Sequence, residues 1–345
     1  DTNNVLIGYK SGESSVASNT VAIGFETIKG SVTTGANGTV AIGSSALTAL
    51  TSGANAVAIG YQAGQALTTG GYSVFIGYQA GLEHTASNNV AIGDRAFFST
   101  NAGSNSLASD KNVAIGNKAL GGTLSDAQVT GTVAIGYQAM SSATMGGIDY
   151  NIAIGHESQL NNAGGQNIAI GGDTLKVADG GETGNVAIGT SSMDALNNDG
   201  SDYNISLGNY ALRGGTALLA RNIAIGHQSM DGTDDNNIGG IDNIFMGYDA
   251  GGGVWATAAS NYNVAIGNYS MDAAMNGAVY NVALGHSALS ALTTGDNNVA
   301  VGKSAGDAIT TGSNNVAVGL DALGLNVTMS NNVAVGTYAA DALTA

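Results

Sequence analysis

One short pattern, Asn-Val-Ala-Ile-Gly, recurs along the whole chain and limits the possible folds more than anything else in it. Its closing glycine occurs 19 times, from Gly8 through Gly93, Gly267 and Gly302 to Gly336. Successive glycines are 16 to 23 residues apart. A period of this length filling a chain is the mark of a solenoid, in which each repeat is one coil stacked on the next. The 345 residues are therefore expected to form a single continuous β-solenoid domain, 1–345, rather than two globular domains. Nineteen coils spaced as neighbouring strands are, at about 4.8 Å, make a stack about 90 Å long.

The positions before the glycine have an internal logic. Three before it stands Val or Ile in all 19 copies, and one before it Ile, Val, Leu or Met. Side chains alternate along a strand, so these two share a face. The residue between them is Ala in 15 copies, Ala300 among them; the exceptions are Leu6, Phe75, Ser206 and Phe245. Apolar residues on both faces imply a strand covered on both sides. The expectation is that the aliphatic pair fills the coil and that Ala300 and its equivalents face outward, covered by another subunit. Four before the glycine stands Asn in 14 copies, as at Asn89 and Asn263. Stacked amides there can hydrogen-bond from coil to coil. Three after the glycine only Ala, Ser or Thr occurs, and many copies then carry Leu, Ile or Met shortly after, as in Leu47 and Leu50 or Met271 and Met275. These read as a second short strand per coil. The fold class is thus all-β, a parallel solenoid of about 19 coils with two short strands each.

Composition removes several functions. The chain has no cysteine, so disulfides, thiolate metal sites and cysteine catalysis are excluded together. Proline is also absent, and without a Gly-X-Y period the 54 glycines do not make collagen. The net charge is −16 with only nine Lys and Arg. Nucleic-acid binding is disfavoured, because no basic stripe exists to displace counterions. No apolar run reaches membrane-spanning length, so no membrane insertion is expected.

Motifs of chemistry dissolve on comparison between coils. Gly302-Lys303-Ser304-Ala305-Gly306 fits the nucleophile-elbow pattern, yet Gly60-Tyr61-Gln62-Ala63-Gly64 occupies the same coil position without a serine. The Ile-Gly-x-x-Ala spacing also fits hexapeptide acyltransferases, an enzyme alternative that needs a catalytic histidine. His156, His227 and His286 each follow a motif glycine, where Tyr, Asn and Lys also occur, which marks a surface position. Oxygen-rich stretches around Asp231, Asp234 and Asp235, and from Asn197 to Asp202, are weak calcium candidates. Tyr61, Tyr78, Tyr137 and Tyr248 also follow motif glycines and form a candidate binding row for sugars such as cell-surface glycans. Trp255, the only tryptophan, lies in an insertion expected to leave the coil as a loop and joins them as a candidate.

Asn89 to Gly93 with Ala96, and Asn263 to Gly267 with Ser270, resemble the head repeats of YadA-type trimeric autotransporter adhesins. The Gly-Tyr-Gln-Ala-Gly stretches at Gly60 and Gly77 are similar to repeats of phage tail fibres. This resemblance implies a left-handed parallel β-roll, three chains around one axis, an adhesive or fibre role without enzymatic activity, and an extracellular setting on a cell surface or virion. Joining Ala345 to Asp1 would space the flanking glycines by the regular 17 residues, so head-to-tail stacking into a filament is a further expectation for self-association.

Overall fold

In the computed structural model, residues 2–98, 109–122, 128–141, 149–161, 164–177, 181–233, 239–255, 257–325 and 328–341 are described. Asp234, Asp235, Asp1 and Ala345 lie outside them. The chain is an all-β parallel solenoid and divides into two compact units, Asp1–Gln166 and Asn167–Ala345.

Each motif forms a three-residue strand. The first unit holds those from Val5–Ile7 to Ile152–Ile154, and the second those from Ile168–Ile170 to Val333–Val335. Within each unit successive strands pair in parallel, like residue on like residue: Val21 opposite Val40, Ala22 opposite Ala41, Ile23 opposite Ile42. The second unit repeats this at Val299 and Val316, Ala300 and Ala317. The register is fixed by backbone bonds on both sides of the motif. Val264 N donates to Asn281 O at 2.8 Å, and Gly267 N to Met246 O at 2.8 Å.

The two faces of the strand are the reverse of the expectation. The middle residue, Ala300 included, is buried in every motif strand except the first, whose Leu6 is exposed. The Val and Ile on either side are half-buried or exposed. Alanine faces inward because the interior is already full. Opposite it stand the small residue three after the glycine and a large one four or seven after it. Ala46, Leu47 and Leu50 fill one coil in this way, all fully buried. Where the middle residue is large, the large residue opposite is missing. Phe75 faces Gly81, and it also occupies the space over Gly64, where an added Cβ would come within 2.6 Å of Phe75 Cδ2. Phe245 faces Gly251 and Leu6 faces Gly12 in the same manner. Ser206, the polar exception, donates to Ala211 O at 2.9 Å and lies 2.6 Å from Ser192 Oγ.

The expected second strand is also corrected. Among the described residues it exists only where Ala195–Leu196 pairs with Gly214–Gly215 and where Leu219–Ala220 pairs with Gly240–Ile241. Elsewhere the segment after the glycine is a run of turns. The residues two and four after the glycine take positive φ in all 19 coils, as Gln62 (55°) and Leu47 (49°) do, and an extended strand cannot contain them. Coil-to-coil bonds persist regardless: Leu289 N donates to Ala305 O at 3.0 Å.

The asparagine column is continuous through the second unit, from Asn167 by way of Asn263 to Asn332. Asn263 shows the repeating unit. Its backbone N and Nδ2 donate to Asn243 Oδ1 at 3.0 and 3.2 Å, and Nδ2 also donates to Ala278 O at 2.8 Å. Its own Oδ1 accepts from Asn281 N and Nδ2 at 3.0 and 3.1 Å. In the first unit Asn89 Oδ1 accepts from Asn112 N at 3.0 Å. The motif glycines form a second column. A Cβ on Gly302 would stand 2.5 Å from Gly319 O, and one on Gly93 2.5 Å from Gly116 O. The equivalent atom on Gly267 would strike Gly285 O. Glycine is required there because coil stacks on coil at the backbone, and because φ lies between 134° and 142° at these three positions.

Candidate binding surface

The turn that follows each motif glycine puts the next two side chains on the outside, one column each. The first column carries the tyrosines singled out in the sequence. Tyr61 and Tyr78 are exposed and stack coil on coil, with centroids 5.4 Å apart and planes 14° apart. Tyr137 stacks on His156 at 5.2 Å. In the second unit His227 stacks on Tyr248 at 5.4 Å, and Tyr210 and Tyr269, each two places after its glycine, meet His227 and His286 edge-on. His156, His227 and His286 thus sit as exposed members of aromatic stacks.

The second column, two places after the glycine, escapes a reading along the chain. From the Gly60 coil to the Gly136 coil it runs Gln62, Gln79, Arg95, Lys118, Gln138. Gln79 Nε2 donates to Gln62 Oε1 at 2.8 Å, and Arg95 Nε donates to Gln79 Oε1 at 3.3 Å. The Arg95 guanidinium lies 5.6 Å from the Tyr78 ring and 5.7 Å from the Phe98 ring. The signal is there once the coils are aligned with one another, because no carboxylate interrupts the column across five of them.

Trp255 is not a surface residue. It is fully buried, meets Phe245 edge-on at 6.1 Å, and donates from Nε1 to Gly251 O at 3.1 Å. The indole packs over Gly240 of the preceding coil, where an added Cβ would strike its Cζ3. Asp231 begins a 3-10 turn, Asp231–Thr233, and shares with Asp249 the notch left by Gly252. In the other oxygen-rich loop the acceptors are engaged with backbone: Asp202 Oδ1 accepts from Thr183 N at 2.7 Å, and Asn198 Oδ1 from Gly200 N at 3.1 Å. Burial, more than the neighbouring Asp321 and Asp341 charges, holds the Asp307 carboxyl above the usual carboxylate range.

The fourth histidine has a different setting. His84 occupies the core position, seven after the glycine, that holds Leu50 and Leu67 in sibling coils. Its ring lies 3.6 Å from that of Phe97, and neither nitrogen has a hydrogen-bond partner of good geometry among the described residues. Burial pushes its pKa from 6.5 down to about 3, opposed only in part by the Phe97 backbone. The unfolded chain therefore takes up this proton below pH 6.5 while the folded chain does not. Stability is fully retained above that pH and falls as the pH drops toward 3, by about 1.4 kcal/mol per unit. His84→Leu is expected to remove this slope and to add roughly 1–3 kcal/mol at neutral pH by eliminating two unsatisfied polar atoms. Urea denaturation of both proteins at several pH values measures it; parallel pH profiles would contradict it.

No protein-family model matches the chain, and no curated protein matches it.

Proposed function

We propose that the protein is a non-enzymatic structural solenoid that associates with further copies of itself through the outer face of its motif strands. The observation that carries this is the inverted strand. Two columns of Val and Ile face outward in each unit, at positions that hold no charged residue, in a chain of net charge −16. Aliphatic columns of this kind are worth burying. In a strongly acidic protein an uncharged face is also where a second copy can approach without like-charge repulsion. Three chains, a left-handed coil and a place on a cell surface or virion are what the resemblance to adhesin heads and tail fibres adds. On this reading the work of the protein is mechanical: spacing and multivalent attachment.

The test is the mass of the purified protein in solution, by sedimentation velocity. Wild type is expected as a homo-oligomer. Ile115→Lys with Ile135→Lys places two charges on the outward columns of the first unit and is expected to shift the protein toward monomer with an unchanged circular dichroism spectrum. A wild type that stays monomeric at its solubility limit would sink the reading.

A further inference from the structure

We propose that the first unit carries a binding strip for an extended acidic polysaccharide, laid across the coils that begin at Gly60, Gly77, Gly93, Gly116 and Gly136. Every side chain of the second column there is able to donate hydrogen bonds: three glutamines, Arg95 and Lys118. Arg95 and Lys118 stand apart from the other cations of this unit. Lys10, Lys29 and Lys111 each lie within 3.5 Å of a carboxylate, on Glu13, Glu26 and Asp110. Neither Arg95 nor Lys118 has an ion-pair partner among the described residues. Two neighbouring unpaired cations are unusual in a chain with 25 acidic and nine basic residues. Arg95 is also held in place, between the Tyr78 and Phe98 rings and against Gln79 Oε1. A guanidinium fixed in this way loses little freedom on meeting a carboxylate.

The adjoining column agrees. Tyr61 and Tyr78 stack coil on coil, so their ring edges and hydroxyls, not their faces, meet solvent. Ring edges carry the positive part of the aromatic quadrupole and suit oxygen-rich partners. Asp94, the one carboxylate in this column, accepts from Asn117 Nδ2 at 2.8 Å. The strip ends where the next coil brings Glu157.

Geometry selects the class of ligand. Hydrogen-bond donors recur once per coil, about every 4.8 Å, and a repeating sugar chain offers hydroxyls and occasional carboxylates at a comparable period. A nucleic acid fits worse. Its bases need open aromatic faces, and the facing sides of the Tyr61 and Tyr78 rings are turned on each other, with Arg95 over Tyr78.

The probes are polygalacturonate and the same polymer fully methyl-esterified, run as affinity electrophoresis on the intact chain. Polygalacturonate is expected to retard the protein and the neutral ester is not. Arg95→Gln with Lys118→Gln is expected to weaken retardation roughly tenfold, in keeping with the loss of two charge contacts, with circular dichroism unchanged. Lys10→Gln with Lys29→Gln makes the same change in net charge and is expected to leave binding as it was. Absent retardation of wild type, equal retardation by the ester, or equal loss in the two double variants would each overturn the proposal.

Discussion

Asn263→Leu is expected to cost roughly 3–6 kcal/mol, because it strips partners from several buried groups at 1–3 kcal/mol each. The Asn281 backbone N–H and Nδ2 lose the Asn263 Oδ1 they share, and Ala278 O loses its Nδ2 donor. Leucine has the same branching and number of side-chain heavy atoms as asparagine, so no cavity opens and the loss is chiefly polar in origin. Asn263→Thr should cost about half as much. Threonine already holds this position at Thr39, where Oγ1 donates to Ala36 O at 2.8 Å, and at Thr132, whose N donates to Asn112 Oδ1 at 3.0 Å. Chemical denaturation ranks the three proteins, and hydrogen exchange at the Asn281 amide localises the damage. A leucine variant within about 1 kcal/mol of wild type would show that the column contributes little more than surface hydrogen bonds do.

A second large effect is expected in the first unit. Gly81→Leu drives a side chain into the Phe75 ring, which already occupies that space, and should cost roughly 3 kcal/mol or more. Phe75→Ala alone opens a cavity and should cost roughly 3–5 kcal/mol. Combined, the two changes recreate the pairing of Ala41 with Leu47 found two coils earlier. The double variant should therefore be more stable than the sum of the single effects by at least roughly 2 kcal/mol, a coupling that a double-mutant cycle reads directly. Additive losses would mean that the two positions do not share one site.

This exchange of volumes also separates what is legible in the amino-acid order from what is not. The strands, their parallel register, the asparagine column and the need for glycine all follow from positions that are constant or nearly so in 19 copies. Which strand face is inward does not. In a three-residue strand with apolar groups at every place, alternation shows only that Val299 and Val301 oppose Ala300. The deciding signal lies elsewhere: Leu6, Phe75 and Phe245 occur in the coils that carry Gly12, Gly81 and Gly251. A large residue that appears only where another vanishes shares a space with it. The missing second strand has a different cause. Positive φ at Lys118, Glu26 or Tyr210 is imposed by bonds to the neighbouring coil, and nothing in those residue types announces it. Trp255 reads as loop decoration because an insertion surrounds it, while the vacancy it fills is visible only in three dimensions. On the surface, the tyrosines stand out singly, whereas the Gln62 to Gln138 column needs the coils aligned.

The stacking contacts that recur from coil to coil are those of the motif strand and of the turn that follows its glycine. The remainder is free to vary, and it does: the coil between Gly93 and Gly116 is 23 residues long and that between Gly77 and Gly93 is 16. Yet Val90 still faces Val113, and Ala91 faces Ala114. Doubling a flexible loop costs only about 0.6 kcal/mol, far less than one broken rung. Each coil is in effect a clamp with an open port. New peptide can enter at the port, by mutation or by design, and be displayed at an address along the stack without renegotiating the fold.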